Sequence, residues 1–171
     1  MLVFVTVGST RFDALVEASI SEPVLSTLRD SGYDRLIIQR GNSVIESSEE
    51  FNGESCTIQR HGVDIEIWRF KPFIQAECEQ ADLVISHAGS GTILDVLRLG
   101  KPLIVVPNPT LLDNHQEELA SALQILGHLK ATSIQDLAST IALFEPRDLV
   151  PFPPFDGTKF SKLVDEEMGF I

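Results

Sequence analysis

The sequence is poor in cysteine, poor in basic residues, and without a long apolar run. Its 171 residues include only two cysteines, Cys56 and Cys78, whose spacing fits neither a metal-ligand pattern nor a disulfide framework. They read as reduced thiols of a cytosolic compartment. Lys and Arg number 13 against 25 Asp and Glu, a formal net charge of −12. A basic face able to release counterions from nucleic acid is therefore not expected, nor a polybasic contact with anionic lipid. A small anionic ligand stays compatible, because a local dipole can outweigh a distant field. No apolar run reaches the roughly 18 residues that a membrane-spanning helix needs. The N-terminus, Met-Leu-Val-Phe-Val-Thr-Val-Gly, has neither a basic region nor a small-residue cleavage site, and reads as a first strand rather than a signal peptide.

What is present is an ordinary globular composition, 43% apolar and 22% charged, in a length that suits one domain with a real core. Leu2 to Val7 reads as a strand ending at Gly8-Ser9-Thr10. Residues 12 to 30 carry apolar positions at helical spacing, with Pro23 expected to kink or split the segment. Tyr33 to Gln39 forms a second strand, and the polar stretch 41–55 a loop. Cys56 to Arg60 and Val63 to Phe70 read as two strands joined at His61-Gly62. Pro72 to Gln80 reads as a helix with Pro72 in its first turn.

Further along, the expected order is strand 83–86, helix 92–99 stopped by Gly100, strand 102–106 and helix 113–126. A helix over 133–144 is opened by the capping-box-like Ser133-Ile134-Gln135-Asp136. Residues 146 to 154 hold four prolines and read as extended linker, followed by an amphipathic helix over 158–168. The implied division is a domain over 1–145, a linker over 146–157 and a C-terminal helix over 158–171.

Strands alternate with helices, and the runs near residues 83 and 103 are continuously apolar. That pattern specifies an α/β domain, an open doubly wound and mainly parallel sheet of Rossmann-like type, with right-handed crossovers. Ligands of such sheets bind beyond the carboxyl ends of the strands. Three polar loops belong there: Gly8-Ser9-Thr10, the stretch Ser86 to Thr92, and Pro107 to Gln116.

In the stretch "SHAGSGT", glycines let backbone N–H groups approach a ligand, and a helix start supplies unpaired donors and a positive dipole end. Ser90, Thr92 and His87 can add side-chain donors. The plainer reading is a tight turn in which Ser90 or Thr92 caps the helix and His87 is structural. Asp95, three residues beyond Thr92, is either a charge complementing the helix dipole or an acceptor for two ribose hydroxyls. Neither G-x-G-x-x-G nor G-x-x-x-x-G-K-[ST] is present, strand two ends in Gln39-Arg40-Gly41 rather than an acid, and no Gly-x-Ser-x-Gly elbow exists. His61, His87, His115 and His128 lack zinc-type partners at close spacing.

The stretch "ADLVISHAGSGTILDVLRLGKPLIVVPNPTLLDNHQEELA", residues 81–120, resembles the donor-binding C-terminal half of GT-B glycosyltransferases of family 28 type. Within them it is most similar to the small catalytic subunits of the N-acetylglucosamine transferases that make dolichyl-diphosphate chitobiose. Those in turn are similar to the C-terminal half of the bacterial lipid II-forming transferase. The opening "FVTVGSTRFDALV" and closing "KFSKLVDEEMGF" extend the likeness over nearly the whole chain.

The resemblance implies that Ser86, His87, Ala88, Gly89, Ser90, Gly91 and Thr92 hold the diphosphate of UDP, and that Asp95 takes the ribose hydroxyls. The family more often has Glu at that position, so the reach is shorter here. Phe70 and the backbone of Lys71 would border the uracil, with core packing as the alternative for Phe70. Asn114, His115 and Gln116 would face the N-acetylglucosamine hydroxyls, and Gly8, Ser9 and Thr10 the transferred sugar. Among these, His87 and His115 are the candidates for stabilising charge that develops on the leaving diphosphate.

No cofactor and no metal are implied beyond the donor UDP-N-acetylglucosamine. The resemblance assigns the general base to the other half of the cleft. It therefore implies a membrane-anchored partner subunit that binds a dolichol-linked acceptor at the cytosolic face of the endoplasmic reticulum. A non-catalytic nucleotide-sugar module of the same fold is the competing reading.

Overall fold

The computed structural model describes residues 1–46, 53–110, 115–154 and 156. Seven strands form one sheet: β1 (Leu2–Thr6), β2 (Arg35–Gln39), β3 (Ser55–Arg60), β4 (Val63–Trp68), β5 (Leu83–His87), β6 (Leu103–Val106) and β7 (Lys130–Ala131). Their order is β3-β4-β2-β1-β5-β6-β7, and every pairing is parallel except β3 with β4. The doubly wound, mainly parallel sheet expected from the alternation is therefore present, with an antiparallel hairpin closing one edge. Among the described residues no helix is long and apolar enough to cross a membrane.

β1, β5 and β6 are buried at every position, because helices cover both faces of the sheet. One face packs Val3, Val5, Leu36 and Ile85 against Leu15 and Val16 of α1 (Asp13–Ser19), Leu25 and Leu28 of α2 (Glu22–Asp30), and Leu137 and Ile141 of α6 (Leu137–Leu143). The other packs Phe4, Trp68, Val84 and Val105 against Cys78 of α3 (Gln75–Gln80), Ile93 and Val96 of α4 (Ser90–Arg98), and Ala120 of α5 (His115–Ile125). Burying a Leu, Ile, Val or Phe side chain stabilises the fold by roughly 1.5–3 kcal/mol before the entropy of ordering it is counted.

The differences from the sequence pattern have local causes. Residues 12–30 split at Ile20–Ser21, because Pro23 is accommodated only in the first turn of a new helix, α2. Pro72 does not open α3, which begins at Gln75; residues 69–74 form the connection from the sheet edge. Ser133 does not begin α6 either. Its hydroxyl accepts the Asp136 N–H and donates to the Asp136 carboxylate, making a separate turn, and the helix starts at Leu137. The two-residue strand β7 is too short to carry any periodicity.

The proline-rich stretch is not wholly extended: Pro146–Asp148 make a 3-10 turn. Beyond it, the Val150 N–H donates to the Gly127 carbonyl, and Phe152 meets the His128 ring edge-on at 5.2 Å, so the stretch lies against the connection from α5 to β7. The helix expected over 158–168 and the start of the one expected at 113 fall outside the described residues.

Candidate functional site: a helix terminus at the sheet switch point

From β1 the chain winds outward through β2 and β4, and from β5 it winds the other way through β6 and β7. The reversal falls between β1 and β5, where Thr6 pairs with Ser86. In sheets of this kind the loops leaving the strands at the reversal are where ligands bind. Gly8-Ser9-Thr10 leaves β1 there, Ser86 to Thr92 spans the end of β5 and the start of α4, and Pro107 to Thr110 follows β6.

The β1 loop is held by a buried polar network. The Thr6 hydroxyl donates to Gln39 Oε1 and accepts the Gly8 N–H at 3.1 Å. Gln39 Nε2 donates to the Gly8 carbonyl at 2.8 Å. Gly8, at φ +63°, is thus pinned through both its amide and its carbonyl. Thr10 donates its hydroxyl to the Val7 carbonyl, and Asn42 holds the Ser9 carbonyl.

The β5 loop is packed around His87. Two glycines crowd the Cε1–Nε2 end of its ring: a methyl on Gly8 would come within 2.7 Å of Cε1, and a methyl on Gly89 within 2.4 Å of Nε2. Burial lowers the His87 pKa below its ordinary 6.5, against a smaller opposing effect of the Thr6 backbone, so the ring is neutral at pH 7. Two atoms here, Ser86 Oγ and His87 Nδ1, are buried without a hydrogen-bond partner. Such groups are rare in folded proteins and mark a place where a partner belongs.

α4 starts two residues earlier than the periodicity suggested. Its N-cap is Gly89, and no side chain caps it. Capping by Ser90 or Thr92 is therefore excluded, since both lie inside the first turn. That turn presents its N–H groups with the dipole behind them. A methyl at Gly91 would meet nothing within 4 Å, so packing within the protein does not require glycine there.

Asp95 is exposed on α4, and its carboxylate acts on Cys78 of α3, which places it on the α3 side of the helix. Lys71 stands on the same side. Its ammonium pairs with Glu77 at 2.6 Å and lies 4.5 Å over the Trp68 ring. Phe70 is 47% exposed, which removes core packing as the reason for it. Gln116 is partly buried at the start of α5, and its Oε1 accepts the Asn108 N–H at 3.1 Å. His115 is exposed and faces Glu118 at 3.9 Å, along its own helix. Asn114 lies outside the described residues.

A cavity of about 1080 Å³ opens on the β6–β7 side of this edge, with Arg11, Asn108, Gln116, Ala131 and Ile134 in its wall. Residues 86–92 do not line it. The sequence pattern did not single out Thr6, Gln39 or Asn108. Gln39 carried one signal, a polar residue closing an apolar strand. Asn108 is 6% exposed between two prolines, and its amide ties the Thr110 backbone and hydroxyl to the Arg11 carbonyl. Among the described residues no group of three or more His, Cys, Asp or Glu could hold a metal ion.

Comparison with known proteins shows the family. The family model for the glycosyltransferase family 28 C-terminal domain matches residues 2–166. The chain belongs to that family. UDP-N-acetylglucosamine transferase subunit ALG13 of Homo sapiens is 43% identical over 127 residues, 74% of this chain but 10% of the human protein. The protein of the same name from Eremothecium gossypii is 35% identical over 185 residues, covering 96% of this chain and 91% of its own length. The chain thus spans about a tenth of the human relative and nearly all of the fungal one.

A solution structure of ALG13 superposes with a TM-score of 0.68 at 29% identity, covering 95% of this chain and 93% of that one. MurG of Acinetobacter baumannii, at 21% identity and a TM-score of 0.62, shares the fold over 86% of this family 28 chain and 42% of its own.

Proposed function

We propose that this chain is the donor-binding catalytic subunit of a two-chain inverting glycosyltransferase. It moves N-acetylglucosamine from UDP-N-acetylglucosamine to a dolichyl-diphosphate-linked N-acetylglucosamine. One observation carries the reading: the uncapped start of α4 at the switch point, beside the orphaned Ser86 Oγ and His87 Nδ1. A diphosphate satisfies that arrangement, because its oxygens accept from the first-turn N–H groups and from His87. The names of the relatives support UDP-N-acetylglucosamine as donor.

In this reading Ser86 to Thr92 hold the diphosphate, with Gly91 leaving room for it. Asp95 accepts the ribose hydroxyls, Phe70 and Lys71 border the uracil, and Asn114, His115 and Gln116 face the sugar. Gly8 to Thr10 close the site from the β1 side. As the bond from the anomeric carbon to the diphosphate breaks, negative charge grows on the leaving group. Fixed N–H dipoles stabilise that charge without reorganising. His115 can assist only once a ligand draws it in, since in this structure it lies along its own helix.

The donor needs no metal on this account. The general base and the acceptor site come from a membrane-anchored partner, and "subunit" in the relatives' names supports a partner. The chain then acts on the cytosolic face of the endoplasmic reticulum. In this reading residues 1–145 form the donor domain and 146–154 lead away from it.

Calorimetric titration with UDP-N-acetylglucosamine, alone and with the partner, tests the reading. Binding without transfer in the complete complex would leave a nucleotide-sugar module and overturn catalysis. Asp95→Ala should weaken UDP binding by on the order of 1–3 kcal/mol, the cost of a lost polar partner, with the melting temperature unchanged. Unaltered affinity would remove Asp95 from the site.

A further inference from the structure

β2 ends in Gln39, a polar side chain only 4% exposed that the donor reading leaves without a task. It stands opposite Thr6 of β1 in the sheet register, and both ends of its amide are committed. Oε1 accepts the Thr6 hydroxyl, and Nε2 donates to the Gly8 carbonyl at 2.8 Å. The Thr6 hydroxyl in turn accepts the Gly8 N–H at 3.1 Å. The hydrogen bonds form a closed ring that leaves Gly8 through its amide and returns through its carbonyl. A carbonyl only accepts, so the ring admits one orientation of the Gln39 amide.

The residues after β2 add to this hold. Asn42 Nδ2 donates to the Ser9 carbonyl at 3.1 Å. A methyl on Gly41 would come within 2.6 Å of the Gly8 carbonyl oxygen, so the backbone there is pressed against it. The carbonyls of Gly8 and Ser9 are thus both turned toward β2 and its loop. In a trans peptide the C=O and N–H point opposite ways, which turns the Ser9 and Thr10 N–H groups away from β2. Neither has an acceptor among the described residues. On the other side of β1 lies β5, and Gly8 itself stands against the His87 ring.

Resting on the UDP-sugar reading above, we propose that Gln39 is a positioning residue for the donor. It touches no ligand. By holding the Gly8 carbonyl it sets the Gly8–Ser9 peptide so that the diphosphate meets the Ser9 N–H. Turned over, the same peptide would present a carbonyl oxygen, and repulsion would replace a hydrogen bond. Glycine makes that turn easy, and the Gln39 amide removes the freedom. A dipole fixed in advance then needs no reorganisation as charge grows on the leaving group.

Gln39→Met keeps the length and bulk of the side chain but has nothing to donate to Gly8. Isotope-labelled full-length wild-type and variant chains are titrated with UDP and followed by amide chemical shifts. In wild type the Ser9 and Thr10 amides should respond together with those of Ser90 to Thr92. In Gln39→Met the Ser9 response should be lost and that of Ser90 to Thr92 kept, with UDP affinity about tenfold weaker. The exposed Asn42 supplies a second variant should Gln39→Met fail to fold. Asn42→Ala frees the Ser9 carbonyl, so the Thr10 response should be lost while that of Ser9 remains.

The assignment is overturned by Ser9 and Thr10 amides that ignore UDP in wild type, by a Ser9 response or an affinity that survives Gln39→Met, or by a Thr10 response that survives Asn42→Ala. Loss of the Ser90 to Thr92 responses along with that of Ser9 would mark a merely structural role and overturn it too. A wild-type chain in which no amide responds to UDP would instead overturn the UDP-sugar reading on which it rests.

Discussion

Gly89→Ala tests whether the site depends on the close packing of its two loops. The new methyl would sit 2.4 Å from His87 Nε2 and about 3 Å from Cε1 and Cδ2, inside any ordinary contact. The ring has little room to shift, because Gly8, pinned by Thr6 and Gln39, also stands against its Cε1 and Nε2. Overpacking of this kind costs roughly 1–3 kcal/mol. For a chain of this length each kcal/mol lowers the melting temperature by roughly 2–4 °C, so a fall of roughly 2–12 °C is expected by calorimetry.

UDP affinity should fall with it, since Gly89 is the N-cap whose position aims the first-turn N–H groups. Removing the ring removes the collision, so His87→Ala with Gly89→Ala should be more stable than the sum of the single effects. A coupling of roughly 0.5–3 kcal/mol is the expected size. If Gly89→Ala melts within roughly 1 °C of wild type and binds UDP unchanged, or if the two substitutions simply add, the packing argument is refuted.

Two further outcomes follow from titratable groups. His87 holds its proton less tightly folded than unfolded, so the unfolded chain takes up the extra proton as pH falls through 6.5. Stability should therefore decline below that pH and level off beneath the folded pKa. In thermal melts His87→Gln should show a shallower decline, and UDP should flatten the wild-type curve by placing an anion beside the ring; identical pH profiles for wild type and variant would contradict this.

Burial, with Glu77 and Asp95 nearby, pushes the Cys78 thiol up to about 11, leaving a thiolate fraction on the order of one in a thousand at pH 8. Iodoacetamide should label the partly buried Cys56 first and reach Cys78 only on unfolding. Mass spectrometry showing Cys78 labelled first in the folded chain would contradict the packing of α3.

The sequence by itself determined the local chemistry of this protein. Apolar runs such as Leu83-Val84-Ile85 required a sheet covered on both faces, and glycines set the turns. "SHAGSGT" between a strand and a helix required a terminus able to meet an anion. Those features depend on residues close in sequence, so their period and turn chemistry could be read directly. The helix starts were less legible. Ser133 carried a capping signal that the chain spends on a turn, and Gly89 caps α4 with no side-chain signature at all.

The tertiary structure alone decided what faces what. Only the strand order puts β1 beside β5, and so Gly8 against His87, some eighty residues apart in the chain. Only burial lowers the His87 pKa and leaves its Nδ1 without a partner, because desolvation depends on what packs around a group and not on its neighbours in sequence. Likewise Gln116 was legible through the resemblance as a residue facing the sugar from the start of a helix, but the direction of its amide was not. Its direction is set by the Asn108 N–H, whose position follows from the packing of two loops at one edge of the sheet.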